Sequence, residues 1–249
     1  MSKAFTSAVV LCFLLMLYCR QARAQSAADT SADLDRVKET FAVNFNKNVG
    51  PQSQLFNGKE LTYYDPTIKG NAWFMDKRDW SAGSVFYDGY FYNNVQLIYD
   101  LYKDRVALLL NNKVTGVILL SERVKNFTLL NHTFIYVKHD SLSRKTVETG
   151  FYDELYGGKI KLLARREKSI QTASTATSTE SYFSSTVDYY LFKNGDYFPV
   201  SSKSSVLDIL KDHKRELQQF ISQNDLQFNK TGREDAMVKV AEYYDHLTK

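Results

Sequence analysis

Cysteine is nearly missing from this chain. Its two cysteines, Cys12 and Cys19, fall within the first 24 residues, which have the build of a secretory leader: Lys3, an apolar run from about Ala8 to Tyr18, then Ala22-Arg23-Ala24 as a small-x-small exit before Gln25. The expectation is export with cleavage after Ala24, leaving 225 residues free of cysteine. Such a chain forms no disulfide, offers no thiol nucleophile or thiolate zinc site, and holds together by burial alone. A lipidated Cys19 would need small residues before it, and Leu17-Tyr18 stand there instead. The apolar run is shorter than the ~20 residues that span a bilayer, so no transmembrane segment is expected in the mature chain.

Charge of one sign is lacking as well. Without Lys3, Arg20 and Arg23 of the leader, 29 basic side chains face 28 acidic ones. That balance leaves no electrostatic footprint for nucleic acid. No G-x-S-x-G elbow, H-E-x-x-H helix, P-loop or G-x-G-x-x-G turn occurs. No catalytic residue, metal or cofactor is therefore assigned. The four histidines are scattered: His132 and His139 bracket one expected strand and point to opposite faces, while His213 and His246 fall on different helices. All four read as surface residues.

What is present is strand texture. Residues 25–33 are small and polar and read as a flexible lead-in to a single β-rich domain over 34–249, where Leu34–Asn44 begins as a short helix or a strand. From Gln54 to about Phe198, runs of Tyr, Phe, Val, Ile and Thr are separated by turn pairs such as Asp88-Gly89, Asn111-Asn112 and Asn194-Gly195. The expected fold class is mainly β (α+β). It would be a curled antiparallel sheet, as a sandwich or open barrel, with two C-terminal helices.

The clearest hairpin runs from Gly83 to Asp104. A two-residue turn at Asp88-Gly89 pairs Tyr87 with Tyr90, Phe86 with Phe91 and Val85 with Tyr92. It puts Ser84, Phe86, Phe91, Val95, Leu97 and Tyr99 on one face, unless a competing turn at Asn93-Asn94 breaks the ladder. Residues 169–181 (SIQTASTATSTES) read as an enlarged loop. Ser205 with Asp208, and Thr231 with Glu234, have capping spacing ahead of apolar stripes on 205–223 and 233–247.

The succession G-S-V-F-Y-D-G-Y-F-Y-N-N-V-Q-L-I-Y-D at 83–100, G-F-Y-D-E-L-Y-G-G-K at 150–159 and D-H-K-R-E-L-Q-Q-F-I at 212–221 resembles a group of functionally uncharacterised, secreted β-rich proteins of Bacteroidota. The resemblance covers most of the mature chain and implies an exported bacterial setting. It carries no activity and no catalytic residue.

Two binding candidates remain. In W-F-M-D-K-R-D-W, Asp76 and Asp79 lie between Trp73 and Trp80. Carboxylates beside aromatic rings suit a sugar site, and a hydrolase would further need two acids at a set separation. Tyr87, Tyr90 and Tyr92 would line one hairpin face, an amphipathic patch for a glycan or peptide if exposed. The preferred expectation is a non-enzymatic periplasmic or surface protein that binds a protein, glycan or lipid of the envelope. Alternatives are a secreted carbohydrate-active hydrolase working near Trp73–Trp80 and a lipid-carrying half-barrel marked by a deep apolar cavity. An outer-membrane barrel is disfavoured, because 106–120 lacks strict alternation and the chain ends in a charged helix.

Overall fold

The computed structural model describes residues 58–139, 147–175 and 178–248. The chain divides into two units, Met1–Gln54 and Leu55–Lys249, and every described residue belongs to the second. The leader with its Ala24 exit, the lead-in at 25–33 and the element expected over Leu34–Asn44 lie outside the described residues.

Ten antiparallel strands form one sheet: β1 (Ser81–Tyr87), β2 (Tyr90–Asp100), β3 (Arg105–Leu109), β4 (Gly116–Ile118), β5 (Val124–Leu129), β6 (His132–Val137), β7 (Gly150–Gly157), β8 (Lys161–Ser174), β9 (Thr179–Lys193) and β10 (Asp196–Val200). Their order across the sheet is β10-β9-β8-β7-β6-β5-β1-β2-β3-β4. The sheet is neither closed nor strongly curled, which corrects the sandwich and barrel expectation. The two edge strands, β10 and β4, do not pair with each other. Along β4, the Leu61 N–H donates to the Gly116 carbonyl (2.8 Å) and the Ile118 N–H to the Lys59 carbonyl (2.8 Å). The opposite edge strand carries Pro199, which has no N–H to extend a ladder.

The 83–104 hairpin forms in the predicted register, Tyr87 opposite Tyr90, Phe86 opposite Phe91 and Val85 opposite Tyr92. Asp88 (φ 51°) and Gly89 (φ 87°) supply the two positive-φ residues of its turn. The ladder then slips between Gly83 and Val85, where Asn94 adopts φ 52°. One extra residue in a strand reverses which way all later side chains point. Val95, Leu97 and Tyr99 thus join Val85, Tyr87 and Tyr92 in one buried cluster, not the face of Phe86 and Phe91. Phe91 is left 62% exposed. At the heart of that cluster the Tyr99 ring meets Phe127, Phe134 and Phe151 at centroid distances of 5.2, 4.9 and 5.9 Å.

In the Ser/Thr-rich segment, residues 169–174 and 179–181 are strand, not loop. From Arg165 to Ser174, β8 pairs with β9 residue by residue out to Thr179. Neither β7 nor β10 pairs with this part, since their ladders stop at Ala164 and Tyr189. The result is a two-stranded arm running beyond the sheet. Threonine and serine without apolar alternation suit it, because its outer half is exposed on both faces. Its root is tethered where the Lys69 N–H donates to the Ser181 carbonyl (2.9 Å) and the Phe183 N–H to the Lys69 carbonyl (3.0 Å).

Three C-terminal helices follow instead of two: α1 (Lys203–Ile209), α2 (Lys214–Gln223) and α3 (Arg233–Leu247). The stripe over 205–223 is divided by a 3-10 turn at Lys211–His213. The first cap is Ser202, whose side chain accepts from the Ser205 N–H (3.2 Å) while Ser205 Oγ accepts from the Ser202 N–H (3.0 Å). Asn229, not Thr231, gathers the N–H groups before α3, accepting from Thr231 (3.1 Å) and Gly232 (2.9 Å). Leu207, Leu210, Leu217, Ile221, Met237 and Val240 cluster with Leu162 and Leu191 of the sheet and Ile160 of the β7–β8 turn. Each such side chain contributes about 1.5–3 kcal/mol on burial, which short helices need, being marginal alone. No described helix is long and apolar enough to cross a membrane.

Candidate functional site

Neither sequence-derived candidate forms a site as expected. Trp73 is buried with Leu61, Ile98 and Ala107, and Trp80 lies half-buried against the same cluster. Asp76 turns away to Lys168, whose ammonium is buried and also donates to the Asn71 and Trp73 carbonyls (2.5, 2.9 and 3.0 Å). Asp79 is exposed. A small pocket of about 260 Å³ does include Trp73 with Tyr63, Tyr64, Arg78 and Phe183, but Asp76 and Asp79 are not part of its wall. The tryptophans are core anchors because the loop carrying them is drawn inward by Lys168. The three tyrosines do not share an exposed face either. Tyr87 and Tyr92 are buried, at 0% and 8% exposure, and Tyr90 alone is open to solvent at the turn. The bulge at Asn94 is the physical reason: it commits their face to the core.

A different part of the sheet gathers functional groups. Along β8, Arg165 and Glu167 point to one face, and the register sets Arg165 opposite Asp188 and Leu163 opposite Tyr190 on β9. Tyr152 of β7 stands edge-on to Tyr190 at 5.7 Å. The chain entering β7 adds Glu148, and the chain leaving β6 adds His139, whose Nδ1 donates to the Val147 carbonyl (3.0 Å). Together these line a half-open groove of about 650 Å³, within the range of about 300–1,000 Å³ usual for small-ligand sites.

Arg165 is the organising side chain. Its Nη1 donates to Asp104 Oδ2 (2.7 Å) and to the Phe151 carbonyl (2.8 Å), and its Nε to Glu167 Oε1 (3.0 Å). The guanidinium lies 5.3 Å over the Tyr152 ring, a cation–π contact. Asp104 in turn accepts from the Tyr99 hydroxyl (2.6 Å) and the Phe151 N–H (3.2 Å). A Cβ on Gly150 would come within 2.3 Å of both Arg165 Nη1 and Asp104 Oδ2, so only glycine leaves room for the pair. Burial disfavours the charged guanidinium, but the Asp104 carboxylate outweighs it and holds Arg165 above the usual arginine range. Burial also pushes the Tyr190 hydroxyl up, followed by the carboxylates of Asp188, Glu148 and Glu167.

The other face of β8 carries a second network. Arg166 Nε donates to buried Asp153 (2.7 Å) and its Nη2 to both oxygens of Glu234 on α3 (2.8 and 2.9 Å). His132 Nδ1 donates to Asp153 (2.8 Å) and the Tyr189 hydroxyl to Glu234 (3.1 Å). His132, expected at the surface, is half-buried and tied into this network, with its ring edge-on to Phe74 at 5.0 Å. Among the described residues no three His, Cys, Asp or Glu side chains are grouped to hold a metal.

Sequence reasoning passed over Tyr152, Arg165, Glu167, Asp188 and Tyr190. A signal existed in the i, i+2 spacing of Arg165 with Glu167 and Asp188 with Tyr190, which puts each pair on one strand face. Reading 169–181 as a loop hid the pairing that joins them. Comparison of the chain with protein-family models, curated proteins and solved structures finds no match.

Proposed function

We propose that this is an exported, non-enzymatic binding protein and that the groove on β7–β9 holds a glycan. The observation carrying the ligand is the meeting of two tyrosine rings, Tyr152 and Tyr190, with Glu148, Glu167, Asp188 and Arg165 along one cavity wall. The half-buried Tyr190 ring supplies flat apolar area for a pyranose face with buried Tyr152 packed edge-on behind it, and carboxylates and guanidinium pair with hydroxyls. Export rests on the leader and on the resemblance to secreted Bacteroidota proteins. The lipid-carrier alternative gains no support, because the largest aromatic cluster is filled by its own rings and the groove wall is charged.

The test titrates the full mature chain with a panel of oligosaccharides by calorimetry while following release of reducing ends. Saturable binding that is lost in Tyr190→Ala and weakened in Asp188→Ala, with unchanged circular dichroism, supports the reading. Release of reducing ends at the groove would turn it into a hydrolase. No binding by any saccharide would overturn it.

A further inference from the structure

The sheet guards its strand edges in several ways, and the arm has one edge without any of them. Residues 59–61 cover β4, and β10 carries Pro199. Where β2 outruns β3, it is bulged at Asn94. On β9, Lys69 bonds to Ser181 and Phe183, and β10 takes over at Tyr189. On β8, the cover ends at Lys168, whose N–H donates to the Leu101 carbonyl (3.1 Å). That bond faces away from β9, so strand alternation turns the N–H and C=O groups of Ile170, Thr172 and Ser174 outward too. No described strand meets them, because the β7 ladder stops at Ala164. The stretch 169–174 (SIQTAS) holds no proline and no charge, the usual guards of an open edge. A second observation is independent of the first. The outer arm is a ribbon of two strands exposed on both faces, and such a ribbon is marginal in water until a third strand joins it.

We propose that this edge pairs with the same edge of a second copy, β8 to β8 antiparallel about a two-fold axis, making a four-stranded ribbon. A two-fold axis sets residue i opposite j and j opposite i. Centred on Thr172, it puts Thr172 opposite Thr172 of the second copy and Ile170 opposite Ser174 of the second copy. Three facing pairs of this kind form about six backbone hydrogen bonds, and a Thr–Thr pair across strands is favourable. No like charges meet, since Lys168 at the root is turned to Asp76 (2.5 Å) and Glu180 to Lys69 (2.6 Å). The arm also outruns β7 by about ten residues, or about 33 Å, which holds the two bodies apart. An edge this short buries less than the ~1,200 Å² of a stable interface, so the dimer is reversible and depends on concentration.

The experiment is sedimentation of the full mature chain between about 1 and 200 µM, with monomer expected at the low end and dimer at the high end. Thr172→Pro removes an outward N–H and leaves the β8–β9 bonds in place, while Thr172→Lys sets like charges opposite each other and keeps the N–H. Each should weaken association at least about tenfold with unchanged circular dichroism. In Thr172→Cys, mild oxidation should join two copies, since facing Cα atoms of such a pair lie about 5.5 Å apart, within disulfide reach. A dimer that ignores all three substitutions would place the contact elsewhere and overturn the proposal. A monomer at every concentration would overturn it as well, whether the edge then stays bare or takes a foreign extended peptide.

Discussion

Arg165 and Arg166 are neighbours on one strand, and they live in two different environments. Arg166 looks to the helix side, where Asp153 is 1% exposed and Glu234 is supplied by α3. Arg165 looks to the groove side, where its partners Asp104 and Glu167 keep 22% and 42% of their side-chain surface in contact with solvent. On the first side, Nε and Nη2 both meet carboxylates, a helix lies above, and the network holds α3 to the sheet. On the second side, no helix lies above, and the groove is half-open. The same residue type therefore ties a helix to the sheet on one face and lines a groove on the other. A one-residue shift along a strand decides which.

The sharpest way to break this comparison is to remove one carboxylate from each side. Asp153→Ala leaves a void beneath Arg166, which keeps only Glu234, and His132 loses its carboxylate partner too. The expected loss is about 3–5 kcal/mol in urea unfolding. Asp104→Ala should cost less, about 1–3 kcal/mol, because Glu167 and solvent still reach Arg165. Equal losses would mean that the two faces are built alike and that the groove is only a surface irregularity.

A smaller effect sharpens the groove side alone. Gly150→Ala drives a Cβ against both Arg165 Nη1 and Asp104 Oδ2. The expected cost is about 1–3 kcal/mol, read by thermal melting, with a parallel loss of saccharide affinity as the guanidinium is displaced. Unchanged affinity in a folded variant would separate Arg165 from ligand binding.

The smallest effect concerns the rim of the helix layer. Burial alone would raise the Asp212 carboxyl, but hydrogen bonds from Lys193 (2.7 Å) and Tyr244 (2.6 Å) outweigh it and hold it below the ordinary 3.8. A depressed carboxyl contributes stability above its unfolded value and loses it as pH falls through the lower folded value. The urea midpoint of Asp212→Asn should therefore lie below that of the parent at pH values above 3.8 and converge with it on acidification beneath that value. A constant gap across that range would show that Asp212 acts through shape and not charge.

The hairpin at 83–104 marks how far local chemistry reaches. Asp88-Gly89 specified its own turn and the first three residue pairs, because positive φ at two successive positions is a local demand. Asn93-Asn94 was visible as a competitor, yet whether it turns the chain or bulges depends on which face the neighbouring strand must bury. The capping stripes likewise revealed C-terminal helices but not their division at 211–213. The groove was the least legible part. Its side chains come from residues 139 to 190, and no local pattern says that 148, 152, 167 and 188 meet.

Composition and local chemistry by themselves determined the mainly antiparallel β character, the strongest turn and the helical C-terminal part. These follow from backbone dihedral preference and from side-chain period, which act within a few residues. Tertiary structure alone decided that the sheet stays open, that the Ser/Thr-rich segment becomes a paired arm, and that Trp73, Tyr87 and Tyr92 are core. It also decided which of two adjacent arginines faces a cavity. Each of these depends on what packs against a strand from far along the chain, and burial energy is counted over that whole contact.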